Sequence, residues 1–496
     1  MSSKKSTLNS TLKITQGVVI KSFVKRNNID SADKCRYVLG EILSVACIPA
    51  DVKSVIIQKI TAISTGDIKI FRRKELNNDS KLFIKSEQVL YLLKYYIGLF
   101  FFIPFVLTIY VIVWRRKSKK ERLNLLFGIS NVQFAQNQGE NLVNFIREPR
   151  FSIQNKYKVL AEQRALKVVN SKNSQLIKTR DINLYLLSFF NFRERIRIIS
   201  ELFKSLNLFF RLSFLLPESV VCLKEIFFEI PISRTALENG LVDTLMTTNS
   251  AYIKQDPIFH LAMTHDEVRT IMFWYSDNSV PKDTNAPLLL RFDDSIWNEM
   301  SIKQHYVWGK SHLEYLKNHT NQLVTAVGSQ LFYPKDIVSD QIKQYDFLIF
   351  DVTPSKSEKP FDFYTTQRLI KFLSDIDIVL RSKTNKDLVG AVKSKRKFNR
   401  DFHSDPYVKF VKSLINKSSK YSIIAPNVDL YEIISRSKLV IGVPFTSPVL
   451  IAKELGVLCC YFLEDDMVKL PKYYNDIKVI RSKSELEFFI SKVTVI

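Results

Sequence analysis

Between Asn427 and Asp466 the chain reads NVDLYEIISRSKLVIGVPFTSPVLIAKELGVLCCYFLEDD, one strand–helix–strand unit with its lead-in helix. Helical spacing runs from Leu430 to Arg436, and an unbroken apolar run follows from Leu439 to Val443. After a polar turn come a second helical pattern from Pro448 to Leu455, Gly456 as a stop, and an apolar run from Val457 to Leu463. Strands apolar on both faces belong to a parallel sheet covered by helices, so the expected class is α/β. The turn Pro444-Phe445-Thr446-Ser447-Pro448 falls at the carboxyl end of a strand, where open α/β sheets bind ligands. Thr446 or Ser447 is placed to N-cap the next helix, with Pro448 in the first helical position. Backbone N–H groups and the helix dipole suit a phosphate there, and two hydroxyls add donors. A hydroxyl pair that only caps the helix is the competing reading.

The same architecture is expected over the C-terminal part of the chain. From Asn321 onward, strands at Leu323–Val327, Tyr345–Asp351, Ile376–Leu380, Tyr421–Ile424, Leu439–Val443, Val457–Leu463 and Ile477–Ile480 alternate with helices, as in a doubly wound sheet. Gly328-Ser329 suits a tight strand-to-helix turn, but no G-x-G-x-x-G follows, which argues against a dinucleotide cofactor. An earlier series has strands at Leu241–Met246, Val268–Trp274, Leu288–Phe292 and His305–Trp308. Polar clusters close two of them: Thr247-Thr248-Asn249-Ser250 and Tyr275-Ser276-Asp277-Asn278. Between Arg122 and Leu216 the pattern is mostly helical, amphipathic around Ile182 to Phe214, with a strand expected at Ala165–Val169.

The Pro444-Phe445-Thr446-Ser447 quartet between such a strand and helix resembles the signature of the surface polysaccharide biosynthesis PFTS-motif family, whose members resemble glycosyltransferases of the two-Rossmann-domain (GT-B) type. Phe350-Asp351-Val352-Thr353-Pro354 and the K-x-K-R pattern in Lys393-Ser394-Lys395-Arg396-Lys397 are also similar to the family pattern, as are the two polar clusters on the acceptor side. The resemblance covers roughly the last two-thirds of the chain. It implies two Rossmann-like domains, 131–318 binding the acceptor and 319–496 binding a nucleotide sugar; residues 1–130, basic and with an apolar membrane segment at 97–114, are expected to form a helical, membrane-associated region before them. Reaction would take place in a cleft between the last two.

The implied activity is sugar transfer from a nucleotide-sugar donor to a growing surface polysaccharide or lipid-linked glycan, with no metal and no cofactor. Such enzymes hold leaving-group charge with helix N-termini and basic side chains. Donor contacts would come from Thr446, Ser447, Lys393, Lys395, Arg396, Asp351 and Thr353, with Arg396 as the bidentate phosphate partner. Acceptor contacts would come from Thr248, Asn249, Ser250, Tyr275, Ser276 and Asn278. Asp375-Ile376-Asp377 opens a strand in this reading, which speaks against metal chelation. An inverting reaction needs a general base in the acceptor domain, and Glu229, Asp243, His265 and Asp266 are the candidates. One departure stands out: relatives of this fold place a Glu early in the helix after the phosphate turn to hold ribose, where this chain has Val449-Leu450-Ile451, with Glu454 at the helix end. The alternatives are a nucleotide-sugar epimerase or hydrolase of similar build and a non-catalytic polysaccharide assembly protein.

Charge and cysteines set the surroundings. The chain of 496 residues carries 73 Lys and Arg against 49 Asp and Glu, a net +24. Residues 1 to 130 hold 23 of the former and 9 of the latter, so +14 of the excess lies there. Such a bias suits an anionic membrane surface, and anionic nucleotide substrates for the remainder. Nucleic acid is disfavoured, because the basic residues are not interleaved with aromatics in a recognisable module. Ile97 to Trp114 is free of charge and followed by Arg115-Arg116-Lys117, with Tyr95, Tyr96 and Trp114 placed as interface aromatics. A single pass, a re-entrant or monotopic anchor bent at Pro104, and a buried core helix are the three readings. No signal peptide is expected, since residues 1 to 15 lack an apolar core. Cys35, Cys47, Cys222, Cys459 and Cys460 lack metal spacing and read as reduced thiols, placing the protein on the cytoplasmic face of the membrane.

Overall fold

The computed structural model describes residues 122–127, 151, 153, 158–162, 176–179, 181–201, 203, 225–248, 256–274, 282–283, 300–318, 320–328, 344–352, 354, 364–382, 388–394, 399, 403–417, 421–426, 428–444, 446–464, 468–469 and 477–491. The first series of elements is β1 (Leu123–Phe127), β2 (Lys158–Glu162), β3 (Leu176–Thr179), α1 (Ile182–Leu187), α2 (Ile230–Glu238), β4 (Val242–Thr247), α3 (Pro257–Leu261), β5 (Arg269–Phe273), β6 (Lys282–Asp283), β7 (Gln304–Val307), α4 (Lys310–Lys317) and β8 (Leu323–Ala326). Seven of these strands form one sheet in the order β3-β2-β1-β4-β5-β7-β8. The pairs β1–β2, β1–β4, β2–β3 and β4–β5 are parallel. Every residue of β1 and β4 is buried, as a parallel strand covered on both faces requires.

The second series is β9 (Tyr345–Asp351), α5 (Thr366–Leu380), β10 (Gly390–Ser394), α6 (Asp405–Lys417), β11 (Tyr421–Ile424), α7 (Leu430–Ser435), β12 (Ser437–Gly442), α8 (Ser447–Glu454), β13 (Leu458–Phe462), β14 (Val468–Lys469), β15 (Lys478–Ile480) and α9 (Lys483–Ser491). Six strands form a wholly parallel sheet in the order β11-β10-β9-β12-β13-β15. In order of appearance this is 3-2-1-4-5-6, the dinucleotide-fold arrangement, whose strand order reverses between the first and fourth strands, here β9 and β12. One core fills it, from Phe347 and Ile349 on β9 through Leu439 and Ile441 on β12 to Leu486, Phe489 and Ile490 on α9. β14 pairs antiparallel with β6 as a separate ribbon.

The unit from Leu430 to Leu463 folds as its sequence pattern indicates, with α7, β12, α8 and β13 in place and β12 parallel to β13. Gly456 closes α8 in the left-handed region, φ +67. The N–H of Val457 reaches Ala452 O at 2.8 Å and that of Gly456 reaches Lys453 O at 3.0 Å, a Schellman ending.

Elsewhere the structure corrects the sequence reading. Ile376–Leu380 is the last stretch of α5, whose buried positions Leu369, Phe372, Leu373, Ile376, Val379 and Leu380 fall at helical spacing behind the Thr365 cap. Asp375 and Asp377 therefore sit on a helix. The strand in that part of the sheet is β10, which takes in Lys393 and Ser394, so the basic run begins inside a strand. Leu323–Ala326 is the last strand of the first sheet and does not start the second. Residues 123–179, expected to be mostly helical, supply β1, β2 and β3. Ala165–Val169, Leu288–Phe292 and the Ile97–Trp114 segment lie outside the described residues. Among the described residues no helix is long and apolar enough to cross a membrane.

Candidate functional site

At the carboxyl edge of the second sheet the chain leaves β12 through Val443 and Pro444 and re-enters helix at Ser447. Thr446 occupies the N-cap position with extended backbone, φ −98 and ψ 133, but its side chain makes no cap hydrogen bond. Its hydroxyl turns back instead and donates to Val443 O at 2.9 Å. Two further hydroxyls hold the turn: Tyr364 Oη donates to Pro444 O at 2.9 Å and Tyr461 Oη to Thr446 O at 3.2 Å. Gly442 makes the fold-back possible. A Cβ there would lie 2.5 Å from Val449 Cγ2 and 2.6 Å from Thr446 Oγ1, distances no side chain tolerates. Ser447, not Pro448, takes the first helical position. The positive end of α8 thus opens beside β9, at the point where the strand order reverses, with no cap hydrogen bond from the Thr446 side chain.

Asp351 ends β9 opposite Ser394 on β10, and its neighbour Phe350 pairs with Gly442 on β12. Its carboxyl is buried, and desolvation pushes its pKa up to about 8 against the opposing pull of the Tyr407 hydroxyl and the Val352 amide. At neutral pH this group is protonated and uncharged. The edge therefore presents no carboxylate charge at Asp351 to an incoming anion. Behind it the buried His403 ring stacks on Tyr407 at 5.6 Å and 15°. Tyr407 lies on α6, far from Asp351 in sequence, and no pattern in the chain marks the pair.

Lys393 is buried within β10, with its ammonium donating to Ala425 O at 3.2 Å and Pro426 O at 2.8 Å. Burial lowers its pKa to about 8, partly offset by Asp429. Its charge is committed to the two carbonyls that follow β11, so it secures that turn and does not reach towards α8. Lys395, Arg396 and Thr353 lie outside the described residues, as do Asn249, Ser250, Tyr275, Ser276 and Asn278.

In the first sheet, Thr248 is buried at the end of β4, its N–H on Phe127 O at 3.3 Å, which places it where that sheet's order also reverses. Asp243 is the second residue of β4, at the opposite, amino-terminal edge; Arg122 pairs with it at 3.6 Å and the Thr244 hydroxyl donates to it at 3.1 Å. His265 and Asp266 precede β5 at the same amino-terminal edge, His265 Nδ1 lying 3.2 Å from Glu267 Oε1. These three groups stand a strand length from the ligand edge. Glu229 is buried directly before α2, and the turn after α2 returns the chain into the start of β4. The beginning of α2 therefore lies towards the carboxyl ends of the strands, and Glu229 with it. Sequence reasoning missed Trp274 and Trp308, which follow β5 and β7 directly: Trp308 Nε1 donates to Trp274 O at 2.6 Å. His312 meets the Trp274 ring at 5.7 Å, and burial keeps His305 neutral, its pKa lowered to about 4. Their only sequence signal was a tryptophan ending each apolar run.

The model of the polysaccharide biosynthesis PFTS motif protein family matches residues 206–490. No curated protein matches the chain. Among solved structures, Staphylococcus aureus TarM superposes with a TM-score of 0.35 at 10% identity, over 54% of this chain and 52% of its own. A glycosyltransferase from Rickettsia africae gives 0.39 at 9% identity, over 76% and 89%. The UDP-GlcNAc 2-epimerase of Methanocaldococcus jannaschii gives 0.37 at 10%, over 76% and 92%. The chain thus spans about half the length of TarM.

Proposed function

The chain belongs to the polysaccharide biosynthesis PFTS motif protein family, and we propose that it is a metal-independent glycosyltransferase of GT-B type that binds a nucleotide sugar at the α8 edge of its second sheet. The observation that carries this reading is the Val443–Ser447 turn at the β9–β12 reversal, pinned by three hydroxyls and leading into a helix N-terminus that the Thr446 hydroxyl turns away from. A phosphate accepts from such amides, and a neutral Asp351 leaves the approach free of like charge. Lys395 and Arg396 follow β10 in the sequence and supply the cationic side chains for leaving-group charge.

The acceptor is a surface polysaccharide or lipid-linked glycan bound along the first sheet, at the Thr248 end of β4. Glu229 is the general base, because the other three candidates sit at the amino-terminal edge. The place of reaction is the cytoplasmic face of a membrane, in line with the net +24 of the chain. A thermal-shift screen against UDP, GDP, CMP and their sugars tests the proposal. One nucleotide class should stabilise the protein, by about 2.7 kcal/mol at a hundred times its dissociation constant. No shift with any of them would defeat it.

A further inference from the structure

The helix over residues 192–203 presents large apolar side chains to water: Phe192 is 77% exposed, Phe203 56% and Ile196 49%. At about 100° per residue these three positions fall within roughly 40° of one another, a single stripe along the helix. The stripe has a fixed orientation. Asn191 and Glu194 cap the helix reciprocally, at 2.9 and 2.6 Å, and Ile198 on the inner side is fully buried. Arg197 pairs with Glu238 on α2 at 2.7 Å, and Glu201 pairs with Arg234 on α2 at 3.3 Å. The apolar stripe is therefore held outward by contacts on the other side.

Arginines flank it on both shoulders. Arg193 is exposed on one side next to Arg197, whose side chain stays 58% exposed even while paired. Arg195 lies on the other and reaches back to Phe190 O and Leu187 O. A narrow band of Phe and Ile between guanidinium groups is the composition of a helix lying in a lipid interface, with rings at the acyl boundary and arginines at phosphate level. We propose that the outward face of helix 192–203 rests on an anionic lipid surface, Phe192, Ile196 and Phe203 entering the acyl boundary and Arg193 meeting headgroup phosphates. Charge complementarity selects this occupant, since the chain as a whole carries +24.

The test uses the full chain and two kinds of vesicle: phosphatidylcholine with phosphatidylglycerol, and phosphatidylcholine alone. The wild type should co-sediment more with the anionic vesicles, and the double substitution Phe192→Asp with Phe203→Asp should lower that partitioning roughly tenfold or more. Its melting temperature should not fall, because both rings are already in water. Phe192→Trp gives a local readout: its added fluorescence should be quenched by lipids brominated in the acyl chain. Equal partitioning of the double variant, or an unquenched Trp on vesicle-bound protein, would show that another part of the chain makes the contact and overturn the proposal. Lipid-independent self-association abolished by the same double substitution would assign the face to a protein partner and overturn it equally.

Discussion

Asp351 keeps a proton that an ordinary aspartate loses near pH 4, because its native pKa stands at about 8. Between those two values the unfolded chain has released a proton that the native chain retains, so Asp351 makes stability fall as pH rises from about 4 to about 8. Asp351→Asn should abolish that slope, raising the melting temperature at pH 7 while leaving it nearly unchanged at pH 4. Parallel melting curves for the two proteins across that range would mean that the carboxyl is ionised in the fold. Lys393 makes the opposite kind of prediction. Lys393→Met leaves the Ala425 and Pro426 carbonyls without their donor and should cost about 1–3 kcal/mol of stability, yet nucleotide affinity measured by titration should hold. Arg396→Ala should do the reverse: a lost charge-assisted bond of about 1.5–3 kcal/mol weakens nucleotide binding roughly tenfold to a hundredfold at unchanged stability. Glu229→Gln should slow sugar transfer by about a hundredfold or more without changing donor affinity.

The turn between β12 and α8 depends on the absence of a side chain at Gly442. Gly442→Ala forces Thr446 and Val449 apart, and such overpacking costs about 1–3 kcal/mol; nucleotide affinity should fall along with the melting temperature. Affinity unchanged beside a lowered melting temperature would separate the turn from the ligand. This unit was legible in the sequence because its signals agree: an apolar run, hydroxyls before a helix, and a glycine after it. Other elements were not, for reasons that can be named. The β-branched run from Ile376 reads as a strand taken alone, and only its phase with Leu369, Phe372 and Leu373 shows it to be the end of a helix. Leu123–Phe127 is five residues of a composition that suits either state, and its pairing partner β4 lies more than a hundred residues on. Lys393 reads from the sequence as a donor contact in a basic run, because nothing local announces that two carbonyls after β11 receive it. The Tyr407 and His403 rings behind Asp351 come from α6 and its approach, and a carboxyl carries no mark of the rings that will desolvate it.

The seven-stranded and the six-stranded sheet each reverse their strand order once, and each has buried polar groups where it does so: Thr248 in the first, Asp351 in the second. Nucleotide should protect amides of β9, β12 and α8 from hydrogen exchange and leave those of β1, β4 and β5 unchanged, if donor binding belongs to the second sheet alone. The 3-2-1-4-5-6 order also has a consequence for how the protein is made. β9 carries Asp351, but its second neighbour is β12, which pairs Leu439 with Phe347 across a long intervening stretch of chain. Local hairpin formation cannot bring these strands together, so their meeting waits on a costly loop closure. During synthesis, β9, β10 and β11 emerge well before β12, leaving one side of β9 unpaired until the Val443–Ser447 turn has itself left the ribosome. The edge that would receive a phosphate is thus assembled only after β12 and its turn have been translated, and ribosome-bound chains halted before Ser437 should carry an open sheet edge that recruits chaperones, whereas chains released beyond Ile480 should not.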